Sequence, residues 1–464
     1  MFFESFLLNI SVLVVLIFAL IFDYVTKFFS YWYIRHVPYK MSIPFFGSDY
    51  HRVLFLRNTT NEVKALCSQH PQAKNIGCVK SRIPDLIVND PEAARRILST
   101  DHANFHCRGL DLDKSRDVCL RNNLFYAEND KWTLLRDGYE TLLNTLEFKM
   151  GNGLHECLSG TNGDENVQQL LTKILDIVFE DLLLCNKDGS SIKALTRQIQ
   201  KITLVEKLKS YSKNIFPSLY ILLGLKTLPD QPSNELKEIL EQSKLMTGIK
   251  KSGSVFQFDI KGKNRRYFKR ESQIDFAYSI LSSFISEGYV PLHYLLTALL
   301  YELALHQDIQ RKAREALSKD EKYINNIIKE ALRLHAPYSV VTRKCVKPYQ
   351  CGSFLIDKGV TITLPINAIQ NNDKYFSDPK EFNPDRFEKE STAFLPFGAG
   401  PRKCIGEDLT FKIAGEVLKA ILQKFNIEPT SNTPKSLPDT DHNFGRVVIS
   451  RSLRKFTRRV AILD

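Results

Sequence analysis

The sequence has no cysteine framework. Its nine cysteines are an odd number, widely scattered, and none forms a C-x-x-C pair, which argues against a disulfide scaffold and for reduced thiols facing the cytosol. It also lacks any Gly/Ser-rich, Pro-rich or low-complexity linker after residue 50, and no repeat of fixed period is present. The 464 residues therefore read as one large domain or two intimately packed lobes, not a string of modules. A phosphate-binding glycine loop is missing as well, which excludes the usual nucleotide fingerprints. Acidic side chains fall short of basic ones, 52 against 64, for a net charge of +12. Such an excess suits nucleic acid, an anionic membrane or an acidic protein surface, and composition alone does not choose.

The N-terminal segment narrows that choice. MFFESFLLNISVLVVLIFALIFDYV carries only Glu4, Ser5, Asn9 and Ser11 as polar breaks before Asp23, giving roughly 20 mainly apolar residues, the length that spans a bilayer. Lys27, Arg35 and Lys40 follow it and only Glu4 is charged ahead of it, so the body is expected on the cytosolic side. A cleaved signal peptide is the alternative, but a basic leading region and a small-x-small cleavage site are both missing. Residues 1–26 are read as a transmembrane anchor. Residues 27–48, with interfacial aromatics, Pro38 and Pro44, are read as a basic, stiff connector, and 49–464 as a single catalytic body.

The body reads as mainly α with small β-sheets. VKSRIPDLIVND and GVTITLPI are rich in β-branched residues and bounded by turn formers. Residues 318–335 have helical spacing, with a capping box of Ser318 and Glu321, an apolar face of Ile324, Ile327, Ile328, Ala331 and Leu332, and Pro337 as a stop. A longer helix is expected from near Asp275 to His306.

One stretch concentrates chemistry. FLPFGAGPRKCIGED, residues 394–408, sets Cys404 among three glycines and two basic side chains. Most lone cysteines are small buried hydrophobes. Here Arg402 and Lys403 favour a thiolate, and a helix opening at GEDLTF would add its dipole. Gly398, Gly400 and Gly406 permit unusual backbone angles and close approach of a flat ligand. A redox or nucleophilic cysteine would explain the charge, but not the glycines together with Phe397.

The combination resembles the cytochrome P450 family of haem-thiolate monooxygenases: Phe397, Gly400, Arg402, Cys404 and Gly406 fall in its phenylalanine-x-x-glycine-x-arginine-x-cysteine-x-glycine signature. The resemblance implies haem b, with Cys404 as the axial iron ligand that pushes electron density to favour dioxygen cleavage, and Arg402 paired to a propionate. Further stretches resemble the same family. Glu330 and Arg333 in KEALRLHAP, with Arg386 in FNPDRF, look like its buried Glu–Arg–Arg network, which is structural. Trp132 and Arg136 in DKWTLLRDG, and Arg343 in VVTRKC, occupy positions of propionate contacts. O2 and NADPH-derived electrons are implied as cosubstrates, with NADPH–cytochrome P450 reductase and cytochrome b5 as partners; Lys403, Lys412 and Lys419 are candidates for the docking surface. VNDPEAARRILSTDHANFHCRGL and LFYAENDKWTLLR look most like the animal microsomal branch rich in insect detoxification enzymes. That implies a small lipophilic substrate, contact with membrane lipid and a place on the endoplasmic reticulum facing the cytosol. The pocket is expected from the loop at 105–120, the middle of the long helix, the chain after Pro337 and a turn at 448–450.

Two other features weigh less. His102, His106 and Cys107 have metal-ligand spacing in a helix but lack a second pair. The basic run KGKNRRYFKRE, 261–271, includes aromatics as RNA-binding segments do, but reads as a solvated or membrane-facing loop, and no nucleic-acid partner is expected.

The departures are specific. Aligning LLYELALH with the end of the family's long central helix puts Gly288 at its oxygen-groove glycine, and Val290 and Pro291 where the family has an acid–alcohol pair that delivers protons. Neither residue can relay one. Pro291 has no N–H, so the carbonyl of Glu287 should lose its helical partner and the helix open locally, with Glu287 or a substrate hydroxyl ordering water. The alternatives are a haem-thiolate enzyme that does not activate O2, a peroxide isomerase or dehydratase, and a non-catalytic haem-binding descendant. Shortened segments after residue 317 and before Ser391, and Gln370 where the family often has histidine, favour the last.

Overall fold

The computed structural model describes residues 2–43, 47–48, 50–53, 59–80, 83–146, 158, 166–184, 189–201, 203–251, 272–389, 391–429, 433–437, 441–443, 446–448 and 459–462. The basic run 261–271 and residues 449–450 of the expected pocket turn lie outside them. The fold is mainly helical with small sheets.

Helix α1, Phe2–Ile34, carries the apolar N-terminal segment. Leu8, Val15, Phe18, Leu20 and Phe22 are among its exposed apolar side chains. Among the described residues no helix is long and apolar enough to cross a membrane. The helix continues past residue 26, so the start of the expected connector is helical. Its last turn is anchored: Trp32 is buried, and its indole N–H donates to the Cys78 carbonyl at 2.6 Å. A Cβ on Gly77 would lie 2.4 Å from the Trp32 ring, so only glycine lets the indole lie flat on the strand. Arg35 reaches Asp357 at 2.6 Å.

That strand is β1, Asn75–Lys80, which forms an antiparallel hairpin with β2, Ile83–Val88. VKSRIPDLIVND thus holds the end of one strand and the whole of a second. Helix α2, Pro91–Leu98, follows with Asp90 capping the Ala93 N–H and proline in its first turn. Helices α3, Asn129–Thr145, and α4, Val167–Leu183, come next; Asn166 caps the latter through the N–H groups of Gln168 and Gln169.

Helix α5, Gln273–Phe284, begins at Ser272, whose hydroxyl accepts from the Asp275 N–H. It runs into a π-helical turn, Ile285–Tyr289, and then into α6, Val290–Leu305. The expected long helix is therefore one rod with a widened turn, in which the Val290 N–H bonds the Ile285 carbonyl five residues back. Pro291 follows directly, so the opening sits where a missing N–H would weaken an α ladder. Helix α6 is buried on all sides from Val290 to Ala304, as a helix apolar all round must be.

Helix α7, Glu321–Leu334, has the expected apolar face, but not the expected start. Asp320, two residues beyond Ser318, supplies the cap to the Tyr323 N–H. Strands β3, Val341–Lys344, and β4, Thr361–Leu364, complete a four-stranded sheet ordered β1-β2-β4-β3, with β2 and β4 parallel. Helix α8, Glu407–Lys424, follows the Cys404 loop with Glu407 and Asp408 in its first turn, complementing the helix dipole.

Behind that loop lies a buried ionic network. Glu330 and Arg333 are both fully buried and pair in bidentate fashion at 2.8 Å, while Arg386 Nε donates to Glu330 Oε1 at 3.0 Å. Spacing makes this pair i, i+3 neighbours on α7, and both side chains are buried. Arg333 also donates to the carbonyls of Gln370, Pro379 and Glu381. Gln370, far from a defect, is fully used: its amide N–H groups reach the Leu332 and Arg333 carbonyls, and its Oε1 accepts the Leu395 N–H at 2.9 Å.

Glu330→Gln should leave the buried Arg333 and the half-buried Arg386 short of their counter-charge and lower stability by about 3–5 kcal/mol, read from urea unfolding beside the wild type. Gly400 has φ +66°, and an added Cβ would meet the Leu98 carbonyl oxygen at 2.2 Å. Gly400→Ala should therefore lower the yield of folded protein, whereas Gly359→Ala, at φ +96° with no atom within 4 Å, should cost only its backbone strain.

Candidate active site

The Cys404 loop forms one wall of a cavity with an empty volume of about 1510 Å³, counted with the part open to solvent. The loop is held by its backbone: the Cys404 N–H donates to the Phe397 carbonyl at 3.0 Å and the Lys403 N–H to the Gly400 carbonyl at 2.9 Å. Gly398, at φ +74°, lines the cavity with nothing within 4 Å of where a Cβ would point. A Cβ on Gly406 would lie 3.9 Å from the Cys404 sulfur. The exposed surface of Cys404 faces this cavity. Burial in the surrounding fold raises its thiol above the ordinary value, against lowering by the Gly406 N–H, Arg136 and Lys403. The basic neighbours alone therefore do not make a thiolate; a bound cation does so outright.

Beside the loop the cavity wall is positive and buried. Arg343 is 2% exposed, and Arg108 and Arg402 are 9% exposed; all three line the cavity. The Nε atom of each is buried without a hydrogen-bond partner. Burial pushes Arg108 down to about 10 and Arg402 down to about 9, and Arg108 further opposes Arg402. Arg343 is driven well below its usual range by burial, then by Arg108 and Arg402. Arg108 is favoured by Glu287 and Glu128, but Arg402 and Arg343 are opposed by their arginine neighbours, and three buried guanidiniums each with an unpartnered Nε call for further anions. Two carboxylates beside a cysteine sulfur, on a flat apolar frame, meet that demand, and the propionates of haem are such a pair.

Of the other residues expected there, Trp132 lines the cavity with its ring 4.6 Å from the Arg402 guanidinium. Arg136 also lines it, but spends one N–H on the Lys403 carbonyl and another on Glu140, tying α3 to the loop. Phe397 packs near Phe411 of α8, ring centroids 5.8 Å apart. Lys403 and Lys419 are paired with Glu407 and Glu416 on α8, so their charge is partly offset.

Across the cavity, the π-turn presents Glu287 and Gly288. The Tyr338 hydroxyl donates to Glu287 Oε2 at 2.6 Å and Asn123 Nδ2 donates to Oε1 at 3.2 Å. Gly288 is not sterically demanded: a Cβ there would meet only the Phe179 ring at 3.7 Å, so its value is the space it leaves. Val290 and Pro291 are both buried in α6, and Pro291 lines the cavity.

The three described segments expected to line the pocket do so. Individual residues were missed: Arg108, Asn123 and Tyr338 sit in loops, where no periodicity marks a side chain as inward, and only the proline before Tyr338 was a signal. His102, His106 and Cys107 do not converge on a metal. His106 turns to the Ala103 carbonyl and Asn129, while Cys107 also faces Asn129. No group of His, Cys, Asp or Glu able to hold a metal occurs among the described residues. Instead, burial and the Arg402 and Arg343 charges lower His102 to about 4, keeping it neutral.

A family profile described as Cytochrome P450 matches residues 174–455, more than half of the chain. Cytochrome P450 6B7 of Helicoverpa armigera is 26% identical over 92% of this chain and 93% of its own length. Cytochrome P450 6j1 of Blattella germanica is 23% identical over 88% and 90%. A lithocholate 6-beta-hydroxylase of Mesocricetus auratus is 24% identical over 93% of each. With the signature cysteine on the wall of a large, arginine-flanked cavity, the chain belongs to the cytochrome P450 family, whose members use haem b, O2 and NADPH-derived electrons.

Proposed function

We propose that this protein is a monooxygenase that inserts one oxygen atom of O2 into a small lipophilic substrate, with Cys404 as the thiolate ligand of haem iron. The observation that carries the reading is the pairing, in one cavity, of a cysteine sulfur with three buried guanidiniums. When bound, the haem supplies the activation of dioxygen.

The chain's own residues do the rest. Arg343 and Arg402, with Trp132 and Arg136 beside them, would hold the propionates. Phe397, Gly400 and Gly406 shape the loop that presents the Cys404 sulfur to the cavity, where it would ligate the iron. The aromatic walls at Phe125, Phe179 and Phe284 exclude water from a lipophilic substrate and orient it weakly, since apolar pockets discriminate by only about 1–3 kcal/mol per methylene. Val290 and Pro291 stand where an acid and an alcohol are expected, and neither carries a transferable proton. Glu287, one turn earlier beside Gly288, takes that role.

Electrons come from NADPH through a flavoprotein reductase, with cytochrome b5 as a second donor. Both would dock on the face around Lys403, Lys412 and Lys419. The exposed apolar side chains of α1 support a membrane anchor on the endoplasmic reticulum, with the catalytic body in the cytosol.

The reduced protein with carbon monoxide should give the red-shifted Soret band of thiolate-ligated haem, and Cys404→Ser should lose it; an unshifted band in the wild type sinks the ligand assignment. With reductase and NADPH, a lipophilic probe such as 7-ethoxycoumarin should be oxidised. If instead the protein rearranges a fatty-acid hydroperoxide catalytically without NADPH and gives no NADPH-dependent product, the isomerase or dehydratase reading replaces this one.

A further inference from the structure

The Glu287 carboxyl is the only acid among the described residues lining the cavity, and two further pieces of chain converge on it. Glu287 itself projects from the π-turn. Asn123 comes from the loop before α3, where its side chain is already fixed: Nδ2 also donates to the Cys119 carbonyl, and Oδ1 accepts the Phe125 N–H at 2.9 Å. Tyr338 comes from the loop between α7 and β3. Its ring stacks on Phe125 with centroids 5.6 Å apart and planes 23° off parallel, and the Arg108 guanidinium caps the other arm of this stack 3.5 Å from the Phe125 ring. Donors so held impose one orientation on the carboxyl they bind.

We propose that Tyr338 is a positioning residue, with Asn123 in support, that fixes the Glu287 carboxyl as the proton-delivering group of the cavity in place of an acid–alcohol pair one turn further along α6. The proposal rests on the monooxygenase reading and deepens it. Glu287 in its acid form gives the proton on Oε1, the oxygen with the longer contact, to a water or substrate oxygen in the cavity. The carboxylate left behind keeps the Tyr338 O–H on Oε2 and the Asn123 N–H on Oε1, and a solvent proton restores the acid. No electron moves in this step.

The surroundings fit that division of labour. Burial, then the Glu287 charge, holds the Tyr338 phenol well above its ordinary value, with Tyr126 and Cys404 adding to the rise. Tyr338 therefore stays a donor throughout the working pH range and does not compete for the proton. Arg108 and Tyr139 also face Glu287. Arg108 favours the carboxylate, and a carboxylate accepting hydrogen bonds is favoured over its acid. Removing the phenol hydroxyl should thus make Glu287 a weaker acid while leaving the aromatic stack in place.

The test uses full-length wild type, Tyr338→Phe, Glu287→Gln and the double variant. Infrared difference spectra over a pH series, with Glu287→Gln identifying the band, read the Glu287 carboxyl directly. The midpoint should rise by about one pH unit in Tyr338→Phe, a tenfold change in the proton equilibrium. In NADPH turnover with reductase and 7-ethoxycoumarin, the fraction of NADPH recovered as hydrogen peroxide should rise several-fold in each single variant and no further in the double, because both act through one carboxyl. Asn123→Asp keeps the size and the acceptor for Phe125 but sets a like charge against Glu287, so it should raise the midpoint too, guarding against a folding defect in any one variant. An unchanged midpoint, an unchanged peroxide fraction, or independent effects that add in the double variant would each overturn the proposal. The carbon-monoxide band separates the two failures: its absence in the wild type removes the monooxygenase reading, whereas its presence with an unmoved carboxyl removes only the role of Tyr338.

Discussion

A single carboxylate governs the architecture behind the cavity. Glu330 is fully buried between Arg333 and Arg386, and a charge removed from water must be matched by partners in fixed places. Arg333 carries that demand onward to three backbone carbonyls. Gln370 then ties α7 to the N–H of Leu395, two residues before Phe397 and the start of the cysteine loop. The position of the sulfur is thus inherited through an unbroken run of polar contacts from an ion pair on the far side of the loop. Substituting hydrophobes for that run would preserve volume but not register, because apolar contact has no direction.

The cavity has two electrostatic ends. One is a wall of guanidiniums in which Arg108 opposes Arg343 and Arg402; the other is one acid held by two neutral donors and faced by Arg108. The positive end couples cofactor and stability: an anionic ligand that binds only the folded chain adds its own binding energy to folding, and here it also removes a repulsion the apoprotein carries. The acid end is of a different kind, already satisfied by Tyr338 and Asn123, and so does not depend on the cofactor for its geometry. The π-turn carries the acid end: it supplies the one irregularity in the α5–α6 rod, and it sets Glu287 and Gly288 on the cavity.

Much of this was legible in the chain. The cysteine loop could be read because glycine, arginine and cysteine at fixed offsets have few other reasons to coincide. The central helix was visible from its apolar length, and its opening from a proline in the wrong place. What spacing could not show was whatever depended on a distant partner. By spacing Glu330 and Arg333 are only neighbours on a helix; the resemblance joined them to Arg386, 53 residues beyond Arg333, and the carbonyl-rich turn before it completes their burial. The start of α7 was misplaced because Ser318 and Asp320 both offer a side-chain acceptor, and the turn after Ala316, not the local pattern, decides between them. Arg108, Asn123 and Tyr338 belong to loops, whose inward direction is set by tertiary packing with no period to announce it.

The seat of Trp32 on Gly77 has a consequence for the whole molecule's posture. An indole pressed against a bare strand and hydrogen-bonded to Cys78 is a weld, not a tether, and the ion pair of Arg35 with Asp357 pins the same turn from a second side. The long N-terminal helix is therefore a mast stepped into the sheet. Whatever plane that mast takes up, the body must lean with it, so the direction in which the cavity mouth faces is fixed by a glycine some forty residues after the helix ends.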